Sequence, residues 1–336
     1  WIKPNLQSSM VFEDGGSLLL TRMIEDTTDS FMKYSYKDAT TFSRTMGRWR
    51  KIVKEILAPA TYLPPMAPIE ITMALQKTDL GKELLELTER CALDIITDTF
   101  EDDRVRAFLL YHVCMWGLDP RETGLGLFVP LYLDRRMNKC YCQGGSHTLG
   151  NSLAREFVRA GGTILDSSQV NKILLKNGAV AGVELWEGRT LYSDVVVSTL
   201  DPRTTFIDFI GAENLTGDLK GAVEGWKYDK WSFNTLHVVS AEAPRYRPKD
   251  PWASQSLMTI LGFESLDQML AHWDNVMAGK IDAQGFGGHA TCESFWDSHL
   301  VRVPPSRQHN QVSFFQMHAP YDLEGGWEQR GAEIEE

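Results

Sequence analysis

The spacing of apolar and polar residues predicts a β-hairpin and then a long helix near the start of the chain. Residues 9–21 read SMVFEDGGSLLLT, in which two apolar runs flank Asp14-Gly15-Gly16, a turn that tolerates positive φ. Between Asp38 and Leu57 the pattern is helical, with Asp38 as the predicted N-cap and Pro59 following the end. The chain is therefore expected to begin with a hairpin and a helix.

A proline-rich stretch separates this helix from a second helical region. Residues 58–68 contain four prolines, which excludes regular helix and predicts an ordered loop or lid. Several helices are predicted from Ile69 to Gly117, one of them beginning at Asp102 and ending at Asp119-Pro120. The apolar stretch from Gly124 to Leu133 is predicted to be a loop.

A glycine pair and a helix open the central segment, residues 141–202. Gly144-Gly145 precede the helix, Ser146 is its predicted cap, and Gly161-Gly162 close it. One helical face, predicted to pack on a sheet, consists of Leu149, Leu153, Phe157 and Ala160.

Strands are predicted in the rest of the central segment. Thr163–Leu165 is a short strand, and residues 170–185 form a hairpin around Asn177-Gly178. Three consecutive valines in residues 194–197 suit a strand that is buried on both faces. Ser198 and Thr199 follow its carboxyl end, the edge at which open α/β sheets bind ligands. Spacing alone leaves an ordinary α/β unit, whose glycines serve only turns, as an equal alternative.

The last third of the chain returns to isolated strands and helices. Arg203–Ile210 is a short helical stretch, Ser232–Ser240 and Gln311–Met317 are predicted strands, and Ser265–Ala278 is a predicted helix. Because strands lie before and after the central segment, one mixed sheet assembled from distant parts of the sequence is expected.

Composition and charge narrow the class of protein. The 336 residues allow two domains, and 43% hydrophobic with 24% charged residues is typical of a globular protein. A net charge of −11 argues against nucleic-acid binding, which needs a basic surface. The longest uncharged apolar run, Ala107–Leu118, is too short to span a bilayer and is interpreted as a buried helix. Peripheral membrane contact stays open, because exposed apolar patches do not show in hydropathy.

The cysteines and the chain ends add two further expectations. Five scattered cysteines do not form a disulfide framework, and no cluster has metal-ligand spacing, so a reducing compartment and no metal site are expected. The chain begins at Trp1 without a signal-like segment and ends in acidic GAEIEE. Both ends are interpreted as positions inside a longer protein.

The central segment resembles the phytoene desaturase and retinol saturase family of FAD-dependent oxidoreductases. The residues that carry the resemblance are Gly144-Gly145, Leu149, Ala154, Gly162, Val170, Ile173, Gly182-Val183, Gly188, Asp194-Val195-Val196-Val197 and Asp201-Pro202. Weaker likeness extends over residues 9–44, 265–281 and 311–328. The resemblance covers most of the chain but is specific only in the central sixty residues.

The resemblance implies a fold and a division into domains. The fold class is α/β with mixed α+β character: part of a Rossmann-like FAD/NAD(P)-binding domain with an inserted substrate domain of helices on a mixed sheet. Residues 1–140 and 213–336 would form the two parts of the substrate domain. Residues 141–212 would form the second half of the FAD-binding domain.

The resemblance also implies FAD as the cofactor, held by three pieces of which this chain contains one. The pyrophosphate-binding G-x-G-x-x-G segment and a C-terminal glycine-rich segment are not found here. Residues 285–290 fit G-x-G-x-x-A but lack the flanking strand and helix, and are interpreted as a loop. The implied cofactor-binding residues are Gly144, Gly145, Ser146, Gln169, Val170, Ser198 and Thr199. A partner chain, a second copy or parts of the chain not present here would supply the other two pieces.

The implied reaction is hydride transfer between FAD and an apolar isoprenoid, steroid or lipid-like substrate, of the desaturase, saturase or isomerase type. Two alternatives remain: a non-catalytic scaffold that kept the fold, and a different flavoenzyme of the same fold, such as an amine oxidase. His112 and His237 are candidate acids or bases but are interpreted as core histidines, so no catalytic residue is assigned. The expected location is the cytoplasm or an organellar matrix, with the protein soluble or peripherally membrane-associated.

Overall fold

The structure is a computed structural model that describes residues 1–64, 66–281, 287–301 and 311–335. It divides into two compact units, the first formed by Trp1–Leu149 with Lys230–Glu336 and the second by Gly150–Asp229. No helix within the described ranges is long and apolar enough to cross a membrane. All five cysteines are free thiols.

The described residues form nine strands and twelve α-helices. The strands are β1 Leu6–Val11, β2 Ser17–Thr21, β3 Val170–Lys176, β4 Ala179–Leu185, β5 Thr190–Tyr192, β6 Trp231–Ser240, β7 Thr259–Leu261, β8 Gly288–Thr291 and β9 Gln311–Pro320. The helices are α1 Ile24–Met32, α2 Tyr36–Ile52, α3 Ala58–Ala60, α4 Pro68–Leu75, α5 Asp79–Thr88, α6 Ala92–Thr99, α7 Asp103–Cys114, α8 Phe128–Met137, α9 Ser146–Arg159, α10 Gly217–Glu224, α11 Leu266–Met277 and α12 Trp327–Glu335. The predicted α/β class is confirmed.

A six-stranded mixed sheet forms the base of the first unit. Its strand order is β2-β1-β7-β8-β9-β6, and β1 pairs antiparallel with β2 but parallel with β7. The other pairs are antiparallel, and β6 and β9 stay in register from Trp231↔Pro320 to Ser240↔Gln311. Because strands from both sides of the central segment share this sheet, the predicted assembly from distant sequence is confirmed.

The predicted N-terminal hairpin is the β1–β2 pair. Gly15 takes a φ of +79°, and the Gly16 N–H donates to Asp14 Oδ1 at 2.7 Å. Every residue of both strands is buried. Side chains on both faces of this edge of the sheet are therefore part of the interior.

Helices cover one face of the sheet and supply most of the core. On α2, Phe42, Met46, Trp49 and Ile52 recur every three or four residues and are all buried. Phe42 packs on Phe31 of α1, with ring centroids 4.8 Å apart. Burial of one apolar face per helix explains why the helical periodicity of this region was readable in the sequence.

Three boundary predictions in the first unit are wrong. Helix α2 begins at Tyr36, and Ser35 is its N-cap, because its side chain accepts the N–H of Asp38. Helical structure continues past Leu57 through the π-helix Val53–Leu57 into α3, which contains Pro59. The expected loop of residues 58–68 is thus confined to the residues between α3 and α4.

The predicted loop 124–133 is correct only for residues 124–127. Residues from Phe128 onward form α8, and Pro130 lies in its first turn, where a missing N–H costs no intrahelical hydrogen bond. Helix α7 ends at Cys114, earlier than the predicted Asp119-Pro120. By contrast, Asp102 caps α7 and Ser265 caps α11, each accepting a backbone N–H three residues ahead, so these two predicted helix starts are confirmed.

The second unit contains a three-stranded antiparallel sheet in the order β3-β4-β5. The β3–β4 turn is Asn177-Gly178, whose φ angles of +54° and +77° match the predicted tight hairpin. Strand β3 contacts the π-helix Arg203–Gly211, which confirms a helical stretch after Pro202.

The strands predicted at residues 163–165 and 194–197 do not form. Neither segment pairs with any described strand, and Val195 and Val197 are 72% and 84% exposed. A strand needs a neighbour to hydrogen-bond with, and none of the described residues supplies one. The expected packing of α9 on a sheet is also wrong, because no residue of this helix is buried.

The glycine-rich lookalike at residues 285–290 falls partly outside the described residues, which exclude Gly285 and Phe286. Its remaining part is not a loop, because Gly288 to Ala290 belong to β8. Strand β8 lies in the middle of the mixed sheet, between β7 and β9.

Candidate functional site

The glycine pair occupies a strained and crowded position in the first unit. Gly144 and Gly145 have φ angles of +78° and +92°. A Cβ on Gly145 would lie 3.2 Å from His147 Nδ1 and 3.2 Å from Leu300 Cδ2. The backbone here needs glycine both for its conformation and for the close approach of the segment around Leu300.

Asp297 anchors this glycine pair. The Gly144 N–H donates to Asp297 Oδ2 at 2.5 Å, and the His299 N–H donates to Asp297 Oδ1 at 3.0 Å. The His299 ring Nδ1 lies 3.0 Å from the same oxygen. Burial by itself would raise the pKa of the Asp297 carboxyl, but these hydrogen bonds outweigh it, and the pKa is lowered. Asp297 is therefore an ionised carboxylate that turns the Gly144 N–H inward.

A cavity of about 260 Å³ is lined in part by Cys292 and Phe295, which shortly precede Asp297 in the chain. Its walls include the side chains of Tyr246, Ser256, Thr259, Ala290, Cys292 and Phe295. Residues 292–297 thus line the cavity at one end and hold the glycine pair at the other. The wall also includes Glu242, Arg245 and Gln255, so the cavity combines apolar, hydroxyl and charged groups.

The hydroxyl groups of this cavity are neutral. Burial raises the pKa of Tyr246 to about 12. Ser256 and Thr259 hold each other through hydroxyls 2.9 Å apart. The cavity therefore offers neutral hydroxyl groups for hydrogen bonding.

A polar cluster is buried between the helical layer and the sheet. The Tyr111 hydroxyl lies 2.8 Å from His289 Nδ1, and the His112 Nε2 lies 2.8 Å from Ser8 Oγ. Arg136 is fully buried and donates from Nη2 to the carbonyl oxygen of Gln7 at 2.9 Å. Burial of a residue with this charge is costly unless hydrogen bonds satisfy it.

Burial sets the protonation of this cluster. It lowers the pKa of Arg136 to about 10, so the guanidinium keeps its charge at neutral pH. It also lowers the pKa of His112 well below its ordinary value, with the Arg136 charge acting in the same direction. His112 is therefore a neutral core histidine, as expected. His237 was expected to be one too, but it is exposed on β6.

Stability is expected to fall on mild acidification because three further histidines are buried in neutral form. Burial lowers the pKa of His272 to about 4 and the pKa values of His289 and His318 to about 3. Below about pH 6.5 these histidines bind protons in the unfolded chain but stay neutral in the folded chain. Each of them therefore lowers the free energy of unfolding by on the order of 2 kcal/mol at about pH 5. Urea unfolding at about pH 7.5 and about pH 5 measures this difference.

Replacement of His272 by phenylalanine is the matched test, because burial alone depresses the pKa of His272. Between about pH 6.5 and about pH 5 this variant should lose less stability than the parent protein. If the parent protein and His272→Phe lost the same free energy of unfolding on acidification, the assignment of a neutral buried ring would be contradicted.

The other predicted site residues belong to the second unit. Gln169 and Val170 stand at the start of β3, and the Gln169 carbonyl accepts the Trp186 N–H at 2.8 Å. The Ser198 hydroxyl lies 2.7 Å from the Thr205 hydroxyl, at the π-helix that β3 contacts. Thr199 is exposed. Gln169, Val170, Ser198 and Thr199 are thus parts of one compact unit.

The structure divides the predicted residues into two groups. Gly144, Gly145 and Ser146 form the group in the first unit. Ser146 is the first residue of α9, so it stands one position after the place of a capping residue. Whether the seven residues bind a cofactor stays a prediction.

Sequence reasoning missed Asp297, His299, Tyr246 and Cys292. Asp297-Ser298-His299 has the spacing of a local side-chain cap, which could have marked a turn. No spacing in the sequence connects it with Gly144, because 153 residues separate the two partners.

Comparisons with known proteins agree with this fold. Residues 12–210 match the family model described as flavin containing amine oxidoreductase. The chain is 30% identical over 293 residues to a limonene dehydrogenase subunit from Castellaniella defragrans, covering 84% of this chain and 53% of that protein. It is 27% identical to a lycopene-forming phytoene desaturase from a Paracoccus species, over 43% of this chain and 29% of that protein.

Among solved structures, Rab GDI from Plasmodium falciparum aligns with a TM-score of 0.50 and 10% identity, covering 99% of this chain and 64% of that one. That likeness concerns the fold alone. The chain belongs to the flavin-containing amine oxidoreductase family. The relatives named for limonene and phytoene confirm the resemblance to FAD-dependent phytoene desaturases within it.

FAD is the cofactor that the family implies, and the residues present fit part of a flavin site. Because the Asp297 carboxylate already accepts the Gly144 N–H, this N–H is not free to bind a phosphate. The absence of side chains on the pair allows a flat group to approach the backbone. In the second unit, the exposed Gln169 side chain and Thr199 hydroxyl have no hydrogen-bond partner within the described ranges.

Proposed function

We propose that the protein acts as an FAD-dependent oxidoreductase that transfers hydride between FAD and an apolar substrate of the isoprenoid, steroid or lipid-like class. The observation that carries the proposal is the family match over residues 12–210, which includes all seven predicted cofactor-binding residues. FAD, when bound, supplies the hydride-transfer chemistry. The chain supplies binding, orientation and exclusion of water.

The cavity beside residues 292–297 is the proposed place for the substrate. Its volume of about 260 Å³ lies just below the range of about 300–1,000 Å³ typical of pockets for drug-sized ligands. Its size suits a small molecule, or one end of a longer one. Tyr246 and Thr259 would orient the bound molecule through neutral hydroxyls, and Phe295 would exclude water.

Each unit has its own candidate flavin contacts. Within the first unit, Gly144-Gly145 are the candidate for the ring; within the second unit, Val170, Ser198 and Thr199 are the candidates for the adenine half. The chain spans about half the length of the limonene dehydrogenase relative, which is itself named as one subunit of an enzyme. We therefore propose that residues outside these 336, or a partner chain, bind the pyrophosphate.

The test is an absorption spectrum of the purified full-length protein, followed by anaerobic mixing with limonene or a carotenoid. Bands near about 370 and 450 nm, released as FAD on denaturation, are expected. Bleaching or reoxidation of those bands by an apolar substrate would support hydride transfer. A colourless protein that also fails to take up added FAD would contradict the proposal and favour a non-catalytic scaffold.

A further inference from the structure

The buried side chain of Arg136 has hydrogen-bond donors that the fold leaves unsatisfied. Arg136 is the largest of the fully buried side chains in the described residues. Its Nη2 donates to the Gln7 carbonyl oxygen at 2.9 Å, but Nε and Nη1 have no hydrogen-bond partner in the part of the chain that the structure describes. A guanidinium carries five N–H donors, and a buried donor without an acceptor is unfavourable. These N–H groups therefore need an acceptor inside the protein.

Nothing among the described residues neutralises the charge of Arg136. Arg136 forms no ion pair there, and Asp134, two residues earlier on α8, accepts Arg50 Nε at 3.2 Å instead. The acidic group that acts on Arg136 is the Tyr111 phenol. Burial raises the pKa of Tyr111 far above its ordinary value, so the phenol is neutral at physiological pH. The guanidinium is therefore a buried cation without a counter-ion from the described chain.

The bases around Arg136 make the region still more positive. Burial, and then the charge of Arg136, lower the pKa of Lys139 to about 8, so most of Lys139 is protonated at neutral pH. The carboxylate of Glu293 acts on Lys139 and not on Arg136. The charge of Arg136 also adds to the effect of burial in lowering the pKa values of His112 and His289. An anion beside Arg136 would relieve the repulsion between the two cations.

His112 offers one more donor to this region. Its Nε2 lies 2.8 Å from Ser8 Oγ, while its Nδ1 is buried and has no hydrogen-bond partner within the described ranges. A neutral imidazole has one donor and one acceptor nitrogen, so a Ser8 hydroxyl that donates to Nε2 leaves the proton on Nδ1. Ser8 follows Gln7, whose carbonyl oxygen binds Arg136. His112 and Arg136 are thus held by adjacent residues of β1, and each has unsatisfied N–H groups.

We propose that Arg136 binds a chloride ion inside the first unit, through Nε and Nη1 and with His112 Nδ1 as a further donor. A monatomic anion accepts several N–H groups at once and needs little space, which suits an enclosed position. It also offsets the buried charge, whereas a water molecule would satisfy the donors and leave the charge unbalanced. The proposal goes beyond the proposed function and depends neither on flavin nor on the cavity.

The first test is thermal unfolding of the full-length protein after dialysis from chloride into gluconate at constant ionic strength. Adding chloride back should raise the melting temperature of the wild type by at least about 3 °C, and the rise should saturate, because an ion that binds only the folded state stabilises it. Arg136→Met removes the charge and the donors and should not respond to chloride. Arg50→Met is the matched control, because Arg50 already donates to Asp134 and to the Arg22 carbonyl oxygen, and it should respond like the wild type.

Crystals grown with bromide in place of chloride give a second readout that needs no variant. Anomalous scattering should place a bromide ion within hydrogen-bond distance of Arg136 Nε or Nη1, and this result decides if Arg136→Met does not fold. An ordered water at that position, or bromide only at the protein surface, would overturn the proposal. So would a wild-type melting temperature that chloride does not change, or equal chloride responses in the wild type and Arg136→Met. Since neither readout uses flavin, failure here leaves the proposed function untouched.

Discussion

Replacing Asp38 with alanine is expected to lower the free energy of unfolding by about 3 to 5 kcal/mol, one of the largest effects of any single substitution in this chain. Asp38 is fully buried on α2. Its Oδ1 accepts the Glu101 N–H at 2.9 Å, and its Oδ2 accepts the Asp102 N–H at 2.8 Å. The substitution would leave both backbone donors without their acceptor at the start of α7, and would empty a fully buried position.

Chemical unfolding of the wild type and three variants would measure this effect. Asp38→Asn keeps one acceptor oxygen and should fall between alanine and the wild type. Asp29→Ala, at an exposed position of α1, is the control and should change stability by less than about 0.5 kcal/mol. If Asp38→Ala were no more destabilising than Asp29→Ala, the two hydrogen bonds would not be holding α2 to α7.

Replacing Gly145 with tryptophan is expected to reduce the flavin content of the full-length protein about tenfold or more, with a smaller effect on folding. The side chain would have to pass His147 and Leu300, each 3.2 Å from the position of a Cβ. It would also fill the space beside the glycine pair that a flat ring is proposed to occupy. The flavin-to-protein absorbance ratio after desalting gives the answer directly.

Gly161→Trp is the control that separates the effect of backbone strain from the effect of filling the space beside the glycine pair. Gly161 has a φ of +90°, nearly the same as the +92° of Gly145, but a Cβ there would meet nothing within 4 Å. Both variants therefore carry the same backbone strain, and only Gly145→Trp should lose flavin. Equal flavin content in Gly145→Trp and wild type would remove the glycine pair from the cofactor site.

The sequence predicted turns, helix starts and strands well where a few neighbouring residues determine them. The Asn177-Gly178 hairpin, the helix starts at Asp102 and Ser265, and the strands near Ser232 and Gln311 are present as expected. Each depends on turn chemistry, a cap or an alternation within a few residues. The mixed sheet followed from these strands, because strands far apart in sequence need partners.

The errors lie where an element depends on distant neighbours. Three valines at 195–197 have a strand composition, yet they remain unpaired among the described residues. Asp38 has the chemistry of a cap, but Ser35 caps the helix and Asp38 instead receives two N–H groups from 63 and 64 residues away. The sequence around an acceptor side chain does not determine which N–H donates to it, because the donor can come from a distant part of the chain.

The amino-acid sequence by itself determined the α/β class, the family and the residues at which the backbone must turn, because glycine conformations, caps and apolar periods are local properties. The tertiary structure alone placed Asp297 on Gly144, formed the cavity around Tyr246 and Cys292, and left Nε and Nη1 of the buried Arg136 without a partner among the described residues. These features depend on which distant segments meet as the chain packs. Burial, hydrogen-bond partners and shifted pKa values follow from these long-range contacts and exist only in the folded molecule.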